Sequence, residues 1–307
     1  MRRWGWIALV VVALLGLGGG AGYWLLGDSD PPANLAPFDL DLAAIRAAAD
    51  EFPGGKASDV RVEAIATGSQ LRLFSVGGAR FESAPMGAFA YQVILPADEI
   101  VIDSGFNTAQ AGPRSLFAQY DDDAAARVDA GLGEATEIVV THEHADHLGE
   151  LAAFFAKVPD IARAIRLTAE QLRNVDPNIG PDRARLTELT PIAYDRYLAI
   201  APGVVLIKAP GHTPGSQMIY VRREDGRELL FAGDIAWLDE NIATGRGKPR
   251  FVSELVLHED RNAVFAELAA LKRLRVAEPN LSIVPGHDAA AIDALIASGL
   301  MERGFKL

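Results

Sequence analysis

The chain has 307 residues, half of them apolar and 23% charged, which suits a globular protein with a sizeable core. Its formal charge of −12 argues against a nucleic-acid partner, because phosphate binding needs a basic surface, and against anionic membrane surfaces for the soluble part. The lack of cysteine removes disulfides, thiolate metal sites and cysteine nucleophiles together, so any metal must be held by imidazole and carboxylate.

Arg2 and Arg3 precede an uncharged stretch from Trp4 to Leu26. As a helix it would span roughly 35 Å at ~1.5 Å per residue, enough for a bilayer core. Trp4 and Trp6 at one end, and Tyr23 and Trp24 at the other, suit the membrane interface. Residues 1–27 are therefore expected to form a membrane anchor, a transmembrane helix with the arginines on the cytoplasmic side. The rest of the chain would then lie on the non-cytoplasmic side, periplasmic or extracellular. A cleaved signal segment, ending near Gly18-Gly19-Gly20-Ala21-Gly22 and giving a secreted protein, is the alternative.

Residues 28–37 are polar and proline-rich and read as a linker, and residues 38–307 as the folded domain. A short amphipathic helix with Leu42, Ile45, Ala49 and Phe52 on one face is expected first, ended by Pro53-Gly54-Gly55. Four runs of β character follow, at Val60–Ala66, Leu71–Val76, Ala88–Leu95 and Glu99–Ile102, separated by turn residues as in a meander. Helices are expected at Ala124–Leu132, Leu148–Lys157, Asp260–Val276 and Ala289–Ala297. Strands are expected at Glu137–Val140, Val204–Lys208, Gln217–Arg222, Glu228–Phe231 and Leu281–Val284. Interleaved strands and helices point to layered sheets covered by helices, with residues 158–200 as a helical insertion.

Five of the six histidines fall in short loops flanked by glycine or acid. His142, His144, Asp146 and His147 crowd into one hexapeptide after a predicted strand. His212, Asp234 and His287 each follow a strand and a glycine, which lets the backbone turn sharply. At the hexapeptide, alternate side chains would place His142 and His144 on one metal, with Asp146 and His147 turned toward a second. Crowded imidazoles and carboxylates are costly unless a cation orients them, so these seven residues are the candidate ligands. His258 has no such context and reads as structural or surface. Glu143, inside the hexapeptide, is expected to face solvent or to back the ligands.

The hexapeptide, with His212, Asp234 and His287, resembles the His-X-His-X-Asp-His signature and later ligands of the metallo-β-lactamase fold superfamily, over about residues 60–290. Asp103-Ser104-Gly105 resembles that family's Asp-Thr/Ser-Gly turn, whose Asp supports the metal loop from behind. The resemblance implies an α/β fold, an αββα sandwich. It further implies one metal held by His142, His144 and His212, a second by Asp146, His147 and His287, and Asp234 bridging both. Two divalent ions are implied, zinc ahead of iron, cobalt or manganese. A metal-bridging hydroxide would attack the substrate, with Asp146 passing the proton to the leaving group.

Within the family, the lactonase-like branch that includes acyl-homoserine lactonases is the most similar, through Ala209–Gln217, Phe231–Asp234 and Gly286-His287-Asp288. One departure matters: where many of those enzymes carry a tyrosine three positions after the bridging Asp, this chain has Trp237. Tyr194, Tyr197 and Tyr220 are candidates to compensate, though each reads first as a packing residue. The expected activity is hydrolysis of a carboxylic ester or lactone, a small-molecule substrate. The alternatives are a phosphodiesterase or thioesterase of the same fold, or a mononuclear iron persulfide dioxygenase.

Overall fold

In the computed structural model, which describes residues 18–108 and 117–307, the chain builds two sheets face to face. The first contains β1 (Asp59–Leu71), β2 (Ser83–Ile94), β3 (Glu99–Ile102), β4 (Phe117–Tyr120) and β5 (Glu137–Val139). The second contains β6 (Tyr197–Ala201), β7 (Val204–Lys208), β8 (Gln217–Arg222), β9 (Glu228–Gly233) and β10 (Leu281–Pro285). A two-residue strand β11 (Glu302–Arg303) closes the first sheet, whose order is β11-β1-β2-β3-β5 with β4 also on β1. The second sheet runs β10-β9-β8-β7-β6.

The strands of the second sheet are buried nearly throughout, as expected of a sheet covered on both faces. Between the sheets, Val62, Tyr91, Val93 and Ile100 meet Leu206, Ile219, Leu229 and Phe231. Outside the first sheet, Ile65, Ala90 and Val101 pack on the helices Asp122–Glu134 and Ala145–Lys157 through Val128, Leu132, Leu148 and Leu151. Outside the second, Val205, Ile207 and Leu230 pack on the helices Leu42–Ala49 and Arg261–Ala277 through Ile45, Val264 and Leu268. This is the expected αββα order of layers.

The strands β3 and β5 are parallel, β9 and β10 are parallel, and β7 runs the same way as β9 because β8 is antiparallel to both. The carboxyl ends of the ligand-bearing strands therefore open on one edge of the sandwich, and the sequence places its histidines just beyond them.

Three local expectations are corrected. Arg72–Ser75 is a helical turn, not a strand. Ser75 is fully buried, and its backbone and side chain are taken by the Asn241 and Gln70 amides, so tertiary contacts override a short alternating pattern that fits either state. Phe52 falls beyond the end of its helix and is exposed, since the residue before Pro53 is held out of the helical region. The insertion over 158–200 is built of short helical turns, but it ends in a strand, β6. The expected membrane-spanning run lies mostly outside the described residues; among those described, no helix is long and apolar enough to cross a membrane.

The helix Leu42–Ala49 is tied to the second sheet by one charge cluster. Arg46 donates to both oxygens of Glu228, at 2.8 and 2.6 Å, and to Glu278 at 3.0 Å, while the buried Tyr220 hydroxyl also donates to Glu228. Burial pushes the Glu228 carboxyl up, but these donors outweigh it and hold it below its usual range. Such a carboxylate stabilises the fold above the ordinary carboxylate pKa, and that contribution is lost as pH falls through the lowered value. Arg46→Met should therefore cost about 2 kcal/mol at neutral pH, allowing for the half-exposed guanidinium. Urea unfolding should show the deficit shrinking in acid as Glu228 takes up its proton.

Candidate metal centre

The two sheets deliver their loops to a single point. After β5, His142 and His144 lie on an extended turn, and the helix Ala145–Lys157 begins three residues earlier than its apolar pattern indicates. Asp146 and His147 thus stand on its first turn, where carboxylates are favoured. His212, Asp234 and His287 arrive on the loops after β7, β9 and β10. All seven side chains converge.

Two groups form around Asp234. His142 Nε2 is 3.1 Å from His144 Nδ1, which is 3.0 Å from His212 Nε2; Asp234 Oδ2 lies 3.8 Å from His142 and 3.5 Å from His212. On the other side, Asp234 Oδ1 lies 3.3 Å from His147 Nε2 and 3.1 Å from His287 Nε2, with Asp146 Oδ2 3.4 Å from His287. His142, His144, His212 and Asp234 could hold one cation, and His147, Asp234 and His287 another. Asp146 has a ligand atom within reach of His142 and His147.

The outward ring nitrogens decide what faces inward. His147 Nδ1 is 2.9 Å from Asp103 Oδ2, His212 Nδ1 is 2.6 Å from Glu259 Oε1, and His287 Nδ1 is 2.8 Å from the Gly87 carbonyl. Each partner is an acceptor, so each Nδ1 carries the proton and each neutral ring turns a lone pair toward the centre. Those lone pairs meet carboxylate oxygens. His147 Nε2 and Asp234 Oδ1 are buried without a hydrogen-bond partner, a costly arrangement that a cation between them relieves. The donor set therefore fits divalent metal ions.

The titration behaviour shows the same conflict. Burial lowers His147, yet Asp103, Asp234 and Asp146 together hold its proton well above the usual range. His287 is likewise raised against burial, chiefly by Asp234. Burial and then His147 push His142 well below its ordinary value, and burial with His212 takes His144 down to about 4. Burial would raise Asp234, but His287, His147 and His142 hold it well below the carboxylate range.

Two glycines are required by proximity. Gly233 has φ +53°, and a Cβ there would stand 2.8 Å from the Thr141 side chain; a Cβ on Gly286 would collide with the Asp234 carboxylate. The second acts through close approach alone, since its φ is not positive.

Asp103 supports the hexapeptide as expected, accepting from the Thr141 amide at 2.6 Å and from the Thr141 hydroxyl. Glu143 does not face solvent. It is buried, and accepts from Thr213 Oγ1 at 2.8 Å and from the Gly215 amide at 3.1 Å, so it braces the His212 loop; burial pushes it up to about 7. His258 is exposed and outside the ligand groups, though it reaches the rim of the cleft.

Sequence reasoning missed three residues. Glu259 holds His212, Lys248 donates to Glu259 at 2.7 Å and to the Asp234 carbonyl at 2.5 Å, and Asp176 accepts from the Ala145 amide at 3.1 Å. Trp237 is committed inside the site, where its Nε1 donates to Asp234 Oδ2 at 2.6 Å. None of the compensating tyrosines lines the cleft. Tyr220 is bound to Glu228, Tyr194 to Gln217, and Tyr197 sits at the start of the helix Leu42–Ala49.

The ligands open into a cleft of about 590 Å³, within the range of small-molecule sites. Its lining combines the polar His144, Asp146, Asn174 and Asp176 with the apolar Phe74, Trp237, Phe251, Val252 and Val256. A larger hollow of about 940 Å³, near Arg72, Glu240 and Arg275, holds none of the seven ligands.

A family model described as the metallo-beta-lactamase superfamily matches residues 85–287. A ribonuclease of Thermus thermophilus is 30% identical over 138 residues, 41% of this chain and 32% of that one. An N-acyl homoserine lactonase of a Bacillus species is 28% identical over 153 residues, 49% of this chain and 55% of that one. The chain thus spans between about a third and just over half of the length of these curated relatives. Among solved structures, a dizinc quorum-quenching lactonase shares the fold with a TM-score of 0.56 at 14% identity, over 78% of this chain and 91% of that one.

Because Glu259 fixes the tautomer of His212 and neutralises buried Lys248, Glu259→Gln should weaken metal binding by about 10- to 100-fold. Competition against a chelating dye, with circular dichroism to establish that the fold is kept, measures this.

Proposed function

This chain belongs to the metallo-beta-lactamase superfamily, and we propose that it is a dinuclear metal-dependent hydrolase of a carboxylic ester or lactone. The observation that carries the reading is Asp234, which offers one carboxylate oxygen to each of two ligand groups. Zinc is the first choice of metal, a reading supported by the dizinc lactonase that shares the fold and by the imidazole and carboxylate donors. Bound in these two groups, the ions would supply Lewis acidity toward the substrate's acyl oxygen and make a water acidic enough to react near neutral pH.

The chain's own residues supply the rest. Asp146 is the one ligand-group carboxylate with a substantial exposed face, 28% of its side chain, and it stands on the cleft wall. It is placed to take the proton of the attacking water and hand it to the leaving oxygen. Trp237 spends its only donor on Asp234, so it holds the shared carboxylate rather than the acyl oxygen. Its ring and Phe251 give the cleft an apolar wall that excludes water from the reacting group. The Bacillus lactonase relative supports an ester or lactone. The ribonuclease relative makes a phosphodiester the second reading, against which the charge of −12 weighs for any polymeric nucleic acid. Arg2 and Arg3 ahead of the uncharged run from Trp4 to Leu26 support a membrane-anchored enzyme with its catalytic domain, residues 38–307, on the non-cytoplasmic side.

Ring opening of a simple lactone by the metal-loaded protein, followed as acid release, tests the reading. Turnover should vanish with chelator and return with zinc. Asp146→Asn should lower kcat by about 10²- to 10⁴-fold, the range for loss of a general acid–base group. No turnover by fully loaded protein would remove lactones and bring phosphodiesters forward.

A further inference from the structure

Ten large apolar side chains stay exposed among the described residues, and five of them, Tyr23, Trp24, Phe251, Leu255 and Val256, belong to two segments packed on each other. The turn Tyr23–Gly27 lies on the short helix Arg250–Ser253. The Arg250 guanidinium sits 5.1 Å above the Trp24 ring and pairs with Asp28 at 3.0 Å, while Arg261 donates to the Asp28 carbonyl at 2.6 Å. Ser29 is fully buried and donates to the Gly77 carbonyl. The segment leading into the domain is therefore docked on it and not merely tethered.

That docked segment adjoins the mouth of the metal cleft. Phe251 and Val256 line the cleft and are also 41% and 55% exposed, so the segment on which the Tyr23–Gly27 turn is docked carries exposed apolar side chains into the mouth of the site. Exposed apolar patches of this kind mark interaction surfaces. The sequence just before this docked turn, Trp4–Gly22, is uncharged and apolar. An occupant continuous with that run is a lipid surface. The nearby arginines are already paired, Arg250 with Asp28 and Glu254 and Arg246 with Asp30. With a net charge of −12, a zwitterionic bilayer is favoured over an anionic one.

We propose that the mouth of the metal cleft is seated on a zwitterionic lipid surface through Trp24, Phe251, Leu255 and Val256. The substrate is then an amphiphile dissolved in that surface, whose acyl chain passes along the Phe74–Phe251 wall while its head group meets the ligands. This second part rests on the hydrolase reading above; the seating does not.

The lack of cysteine allows a single label. In the full chain reconstituted in phosphatidylcholine vesicles, a fluorophore on Leu255→Cys is compared with one on Val276→Cys. Val276 is 81% exposed at the far end of the helix Arg261–Ala277, about 22 Å from Arg261 at ~1.5 Å per residue. A lipid-borne nitroxide should quench the label at 255 several-fold more than that at 276, and a water-soluble quencher should show the reverse order. Equal quenching at both positions would overturn the seating, whether or not the protein hydrolyses anything. For the substrate, Leu255→Glu should slow turnover of a long-chain ester carried in the vesicles by about tenfold, a loss worth ~1.4 kcal/mol, and leave a short soluble ester of the same head group unchanged. Equal loss on both esters would overturn delivery through this face. Failure of the unaltered protein on either ester would count against the hydrolase reading and leave the label result standing.

Discussion

Asp103 follows β3 with a backbone φ of 56°, a region that costs a non-glycine residue free energy. Its carboxylate repays that strain by accepting from the Thr141 amide, the Thr141 hydroxyl and His147 Nδ1. One buried side chain thus joins the end of β3 to the loop after β5 and to the first turn of the helix Ala145–Lys157. Ser104 extends the clamp: its amide and hydroxyl both donate to the His147 carbonyl, and its oxygen accepts from the Leu151 amide. Without this, the hexapeptide would have no fixed orientation relative to the sheet. The loops from β7, β9 and β10 would then converge on a point that the first sheet does not supply.

Much of this is legible in the sequence because the physical signals are local. Strands of the second sheet are continuous apolar runs bounded by turn residues, and β7, β8 and the helix Ala289–Ala297 fall where the pattern places them. The seven ligands are legible for another reason: polar groups that cost free energy when buried together stand out against an apolar background. Position on a strand end and a preceding glycine then account for their convergence. The supporting residues are harder to read. Glu259 and Lys248 come from a loop far in sequence from His212, and nothing in a lone Glu or Lys announces a buried pair. Asp176 lies in the stretch least patterned in sequence, where helical turns too short for a periodic signal replace regular elements.

Trp237 illustrates how a departure from a resemblance acquires meaning only in three dimensions. Read as a missing tyrosine hydroxyl, it is a loss. In the fold its indole N–H reaches Asp234 Oδ2, and the Lys248 ammonium lies 5.0 Å over its ring while donating to the Asp234 backbone. The first contact engages the Asp234 carboxylate, and the second anchors its backbone. A carboxylate so held is fixed in orientation at the point where the two ligand groups meet.

The centre is also where the fold is least content. Three imidazoles with their outer nitrogens engaged by Asp103, Glu259 and the Gly87 carbonyl present lone pairs to one another and to Asp234. Neighbouring carboxylates raise His147 and His287 against burial, while burial and neighbouring rings lower His142 and His144. The two sides of Asp234 therefore pull in opposite directions, and on one of them His142, His144 and His212 face each other at about 3 Å. A proton serves one donor–acceptor pair at a time, whereas a divalent ion serves four ligands at once. The apolar αββα layers supply the stability that tolerates this conflict, and the conflict in turn selects for a cation at the one edge where five strand ends open toward the cleft.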